Sequence, residues 1–169
     1  MICFEVPGAI CDLELARVWV RFSVADHVVF YLKYTCLLSI MHTVQFEVRD
    51  YECDAQGIVN NAVYQNYMEH ARHQFLKSLG QDFMAYTKAG INLVVFRAEI
   101  DYKKSLASGD IFEVRSKAEL TNPVRICFFQ DIVRSDGVVM AKGKIFATGL
   151  NRNGTPEIPR ELLEAIGSG

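Results

Sequence analysis

NAVYQNYMEHARHQFLKSLG, residues 61–80, is the stretch on which the fold turns. Tyr64, Tyr67, Met68, Ala71, Phe75 and Leu79 recur in it at three- and four-residue intervals. That spacing predicts a helix of about five turns from Asn61 with a single apolar stripe. Gly80 ends it, since glycine adopts a left-handed cap without steric cost.

Outward from this helix the period changes. Upstream, Val44, Phe46 and Val48 alternate with Gln45, Glu47 and Arg49, the signature of a half-buried strand. A polar, glycine-containing loop from Asp50 to Asn60 joins the two. Downstream, a shorter helical stretch from Phe83 to Lys88 leads to Gly90. Turn signals at Ser108-Gly109-Asp110, Thr121-Asn122-Pro123 and Ser135-Asp136-Gly137 then separate four alternating runs. These are Phe96/Ala98/Ile100/Tyr102, Phe112/Val114/Ala118/Leu120, Val124/Ile126/Phe128/Ile132 and Val139/Ala141/Ile145/Ala147, expected as four antiparallel strands in a meander. Glu161 to Ile166 forms a short terminal helix after Pro156 and Pro159. The order strand, long helix, four strands defines an α+β domain whose helix stripe packs on one sheet face.

The 169 residues are 50% apolar and 22% charged, enough for one domain with its own core. With 18 Lys plus Arg against 20 Asp plus Glu, no general attraction to nucleic acid or to an anionic membrane is expected. Cys3, Cys11, Cys36, Cys53 and Cys127 are odd in number and scattered, which indicates neither a disulfide framework nor a zinc site and fits a reducing cytoplasm. Residues 1–40 crowd apolar side chains without a settled period. Arg21, Asp26 and Lys33 interrupt any membrane span, and Glu5, Asp12 and Glu14 are out of place in a secretory signal. The expectation is an upstream extension of unknown role, with Met41 the natural start and residues 41–169 the domain.

The richest cluster of chemical groups is Asp50-Tyr51-Glu52-Cys53-Asp54-Ala55-Gln56-Gly57-Ile58-Val59-Asn60-Asn61-Ala62-Val63-Tyr64. Asp54 stands just upstream of a helix start, where unpaired N–H groups and the positive end of the dipole favour negative charge. That suits acyl chemistry: a carboxylate attacks or activates water while helix N–H groups stabilise an oxyanion by roughly 3 kcal/mol per donor. The same residues also describe a plain Asx turn at Asp54 and a helix cap at Asn60 or Asn61. His70 and His73, beside Glu69, have the i, i+3 spacing of metal ligands. They point to the flank and the far side of the Tyr64 stripe, so exposed or interface histidines are expected and no metal is. Cys53 lacks a histidine in any recognisable relation and reads as a small buried residue. Lys103-Lys104 and Arg125 are candidate phosphate contacts, with solvated strand-end charges as the plain alternative. Phe83 and Tyr86 either line an acyl pocket or fill the core under a short helix.

The segment Cys53 to Tyr64 resembles the signature of hotdog-fold thioesterases of the 4-hydroxybenzoyl-CoA thioesterase type, an Asp-x-x-Gly-[Ile/Val]-Val stretch ahead of a Tyr. Asp54, Gly57, Ile58, Val59 and Tyr64 fill those places. Val94-Val95-Phe96-Arg97-Ala98-Glu99-Ile100-Asp101-Tyr102 and Ser108-Gly109-Asp110 are similar to that family's second strand and following turn. The likeness runs from about Thr43 to Leu150. Val59-Asn60-Asn61-Ala62-Val63-Tyr64, followed by Glu69-His70-Ala71-Arg72-His73, is most similar to the plant and cyanobacterial branch of acyl-carrier-protein and 1,4-dihydroxy-2-naphthoyl-CoA thioesterases.

This resemblance implies a hotdog fold, an antiparallel sheet wrapped around a long central helix. It implies hydrolysis of an acyl or aroyl thioester of CoA or acyl carrier protein, without a cofactor, with Asp54 as nucleophile or general base. Gly57 would turn the backbone into the helix, and amides near Asn61 to Tyr64 would polarise the thioester carbonyl. Some related enzymes carry His at the place of Asn61, so here Asn61 at most orients water or substrate. A homodimer or homotetramer is implied, with Asp54 of one chain working beside Val94, Val95 and Phe96 of the other, and with Phe83 on the acyl group. Two rivals share the fold: a noncatalytic acyl-thioester binding or assembly module, and a dehydratase or hydratase. The latter class uses an Asp/His or Glu/His pair, and no histidine lies in the loop.

Overall fold

The computed structural model describes residues 41–167, and the expected extension over residues 1–40 lies outside the described residues. Strand β1, His42–Glu47, alternates as its sequence does, with Val44 and Phe46 half-buried and Gln45 and Glu47 exposed. A 3-10 turn over Asp50–Glu52 follows and leads to helix α1, Asn61–Ser78. Asn60 caps α1, its side-chain oxygen accepting from the Ala62 N–H at 2.9 Å and satisfying one of the unpaired donors of the first turn. Leu79 and the left-handed Gly80 stop it. Helix α2, Phe83–Ala89, starts at an Asp82 cap and ends at Gly90. Strands β2, Asn92–Tyr102, β3, Ile111–Asn122, β4, Arg125–Arg134, and β5, Val139–Leu150, follow, and helix α3, Arg160–Gly167, completes the order.

The five strands form one antiparallel sheet in the order β1-β3-β4-β5-β2. This corrects the expected meander. Only β3, β4 and β5 follow one another side by side; β2 pairs with β5 at one edge, while β3 starts beside β1 at the other. The reason lies between Lys103 and Asp110. That segment is not a tight hairpin turn but a crossover past the start of α1. Its Leu106 is fully buried, its N–H donated to the Tyr64 hydroxyl at 2.9 Å and its carbonyl accepting from the Val59 N–H.

One face of the sheet carries α1. Tyr67, Met68, Ala71, Phe75 and Leu76 are buried against Phe112, Val114, Ile126, Phe128, Ile132 and Ile145, each large side chain contributing about 1.5–3 kcal/mol. The helix approaches closely because position 143 has no side chain: a Cβ there would lie 2.6 Å from the Met68 sulfur. Along β2 the alternation fails. The register skips Phe96 between Val95 and Arg97, a bulge that leaves Val95 and Phe96 each 49% exposed and puts Tyr102 at 46%. The expected inward row Phe96/Ala98/Ile100/Tyr102 therefore does not form as a continuous face.

Candidate functional site

Asp54 opens a tight turn. Its N–H donates to the Ile58 carbonyl at 2.8 Å, its carbonyl accepts from the Gly57 N–H at 2.9 Å, and its Oδ1 accepts from the Gln56 N–H at 2.8 Å. Gly57 sits at φ +76, where a Cβ would be strained. Bridges Cys53 to Val59 and Ile58 to Ala107 hold the turn against the crossover segment. The Asx geometry is thus present, and it occupies one carboxylate oxygen. The half-buried Asp54 keeps Oδ2 without a partner among the described residues.

At the start of α1 the Ala62 N–H is bonded to the Asn60 side chain and the Val63 N–H to the Asn60 carbonyl. The Asn61 N–H has no acceptor among the described residues, and the Asn61 carbonyl accepts from the Tyr102 hydroxyl at 3.0 Å. Tyr64 is 3% exposed, its oxygen committed to Leu106, and burial pushes its phenol above the ordinary range. Tyr67 donates to Glu52 Oε2 at 2.7 Å, and the same oxygen accepts from the Arg49 N–H, tying the 3-10 turn to the helix.

A cavity of about 300 Å³ opens between α1, α2, α3 and the sheet, at the lower end of the range for small-molecule sites. Phe83, Val94 and Val95 line it, with Leu93, Ala98, Ile126, Phe128 and Ile145. Phe96 does not, because the bulge turns its ring onto Phe146 and under the Arg125 guanidinium, 5.3 Å from the ring centre. Asp54, Gly57, Asn61 and Tyr64 lie outside the cavity lining as well.

The opposite wall is polar. Gln65, Glu69, Arg72 and His73 line it from one side of α1. Glu69 and Arg72 received no role from the sequence, and their i, i+4, i+7 spacing from Gln65, offset by one from the apolar stripe, was the available signal. His70 and His73 diverge: His70 meets the Phe46 ring at 5.5 Å, whereas His73 is half-buried against Phe83 at 4.6 Å. The expectation of a flank-and-far-side pair is therefore corrected for His73, which burial holds below the ordinary imidazole range despite the opposing influence of Glu69. Arg72 donates to Gln130 Oε1 at 2.8 Å.

The basic candidates do not converge. The Lys103 ammonium pairs with Asp101 at 3.2 Å, and the Lys103 and Lys104 amides both donate to the Met140 carbonyl. Arg125 stacks near the other end of β2, some six residues or roughly 20 Å away. Tyr86 packs half-buried at the edge of the core and bonds Gln81. No helix among the described residues is long and apolar enough to cross a membrane.

The model of the thioesterase-like superfamily matches residues 48–166. An acyl-acyl carrier protein thioesterase of Arabidopsis thaliana, chloroplastic, is 38% identical over 109 residues, 63% of this chain and 57% of that protein, so the chain spans little more than half of that relative's length. The crystal structure of a hypothetical protein from Aquifex aeolicus is 33% identical, covers 73% of this chain and 98% of that one, and superposes with a TM-score of 0.69. A 1,4-dihydroxy-2-naphthoyl-CoA thioesterase from Synechocystis shares the fold, with a TM-score of 0.70 at 19% identity over 75% of this chain and 96% of that one. Sheet order, helix placement and a match over most of the described residues agree, and the chain belongs to the thioesterase-like superfamily.

Proposed function

We propose that the chain hydrolyses acyl or aroyl thioesters of CoA or acyl carrier protein, with Asp54 as the reacting carboxylate. The observation that carries this is an Asp54 carboxylate oxygen without a partner among the described residues, in the turn that leads into the head of α1, where the Asn61 N–H is likewise unengaged. The chain belongs to the thioesterase-like superfamily and is similar to an Arabidopsis protein named an acyl-acyl carrier protein thioesterase. As general base, Asp54 takes a proton from water, the hydroxide adds to the carbonyl carbon, and the tetrahedral intermediate expels the thiolate, which is then protonated. As nucleophile, Asp54 adds to the thioester carbonyl and the thiolate is expelled and protonated, leaving a mixed anhydride that water cleaves to the acid and free Asp54. In either route an amide donor aimed at the oxyanion supports the transition state.

The site is completed between two copies in a homodimer or homotetramer. β2 is an edge strand with exposed Val95 and Phe96, which natural proteins pair or cover, and the Asp54 turn lies apart from the acyl cavity of its own chain. The free cysteines Cys53 and Cys127 are consistent with a reducing cytoplasm.

Asp54→Asn tests the assignment: the amide still accepts from the Gln56 N–H, so the melting temperature holds, while turnover of a CoA or acyl-carrier-protein thioester panel falls by about 10²–10⁴. Near-normal turnover removes Asp54 from the chemistry. A single turnover in ¹⁸O-water bears on the routes: label in Asp54 requires a mixed anhydride opened at the Asp54 carbonyl. Opening at the acyl carbon, like general-base attack, puts the label in the product acid, so trapping of the anhydride completes the comparison. Mixing Asp54→Asn with Val95→Asp regenerates one intact site per hybrid dimer if sites lie between subunits. A second reading of the carboxylate follows from the cavity, which Glu69 lines and Asp54 does not. It predicts that Glu69→Gln, rather than Asp54→Asn, abolishes turnover.

A further inference from the structure

We infer that Arg72 is the specificity-determining residue of the cavity, held by Gln130 so that its guanidinium receives an oxygen carried by the acyl group beyond the thioester carbonyl. This deepens the thioesterase reading and rests on it.

The support for Arg72 is built into the core. Gln130, on β4, is 1% exposed, and its Nε2 donates to the Met68 carbonyl and to Ser116 Oγ, both at 2.9 Å. Its Oε1 accepts from Arg72 Nη1 at 2.8 Å. The amide has one tolerable orientation, because exchanging its ends sets the Gln130 oxygen against the Met68 carbonyl and its NH₂ against the guanidinium. Three elements therefore fix one arginine: the backbone of α1, the side chain of β4 and the serine of β3.

That arginine is under-partnered for its setting. A guanidinium carries five N–H donors, of which the Gln130 bond uses one, and no ion pair forms between Arg72 and any carboxylate among the described residues. Burial lowers its proton affinity from the ordinary value, and Glu69, one turn earlier on α1, opposes this only through space. Arg72 is half-buried, and taking a cation partly out of water is costly unless it is paired or hydrogen-bonded. Across the cavity from it stand Leu93, Val94, Ala98, Ile126 and Ile145, which offer no acceptor side chain.

The cavity is thus apolar on one wall and polar on the other, where the Arg72 guanidinium stands with Gln65, Glu69 and His73. A plain alkyl chain filling it would dehydrate Arg72 and supply nothing in return. An acyl group bearing a hydroxyl, ketone or carboxylate oxygen satisfies the guanidinium while its hydrocarbon face meets the sheet. A hydrogen bond to a charged group discriminates by roughly 10- to 100-fold.

The test reads binding apart from turnover. N-ethyl-2-naphthamide, a neutral and hydrolysis-resistant stand-in for an aroyl thioester, and its ring-hydroxylated isomers are titrated into the full chain by calorimetry. At least one hydroxylated isomer is expected to bind about tenfold tighter than the parent. Arg72→Met should erase that preference. Gln130→Glu should erase it too while keeping the guanidinium, by placing a carboxylate on it. Equal binding of parent and all isomers to the wild-type chain overturns the inference whether or not either variant folds, as does a preference unchanged in a folded Arg72→Met protein. Turnover of thioesters is measured separately, so its absence bears on the thioesterase reading alone.

Discussion

Replacing Tyr64 with Phe deletes one oxygen and leaves the ring in place, T-shaped against Tyr102 at 5.3 Å. The lost atom is the acceptor for the N–H of Leu106, a residue with 0% exposure in the crossover between β2 and β3. Water cannot take its place there without opening the segment. An orphaned buried donor costs about 1–3 kcal/mol. For a domain of this size that is a fall in melting temperature of about 4–10 °C. The damage should also reach the Asp54 turn, because the Leu106 carbonyl accepts from Val59 and Ala107 bridges Ile58. Urea unfolding gives the stability change, hydrogen exchange at the Leu106 amide locates it, and initial rates give the functional cost. A midpoint unchanged from the parent, with Leu106 still protected, would refute the reading of the crossover as a strut held by Tyr64.

Gly143→Ala puts a methyl 2.6 Å from the fully buried Met68 sulfur and should lower the unfolding free energy by about 1–3 kcal/mol in urea titrations. His42 and His73 are both held below the ordinary value of 6.5 by burial, so the unfolded chain binds more protons as pH falls through that value and stability falls with it. Urea midpoints recorded downward from neutrality measure the slope, which His42→Phe should flatten. A chain beginning at Met41 should melt cooperatively, since the core residues from Val48 to Ile166 pack on one another. A broad transition or aggregation in calorimetry would assign residues 1–40 a part in the core.

Helix α1 was legible because eighteen residues keep one period and both ends carry their own stop signals, Asn60 and Gly80. The place of β2 was not. Turn residues announce that the chain reverses, but not which strand it meets next, and Leu106 looks like any loop leucine until Tyr64 is seen over it. The Phe96 bulge was hidden for a related reason, since an extra residue leaves the composition of a strand unchanged. Of the candidate site, the Asp54 turn is local and could be read from Asp54, Gly57 and the helix start. The polar wall could not, because Glu69, Arg72 and His73 have the look of a solvated helix face, and what encloses them comes from α2, β2 and β4.

The sheet order also sets a timetable for the growing chain. β2 leaves the ribosome directly after α2, yet its partner β5 is synthesised last of the strands. Until Val139–Leu150 emerges, β2 with Val95 and Phe96 has no neighbour to pair with, and the wall of the cavity that it supplies does not exist. Pairings that must wait for distant sequence slow folding and leave strand edges open to other chains. Nascent chains halted before β5 should therefore be the species that chaperones hold, and ligand recognition should appear in a single late step.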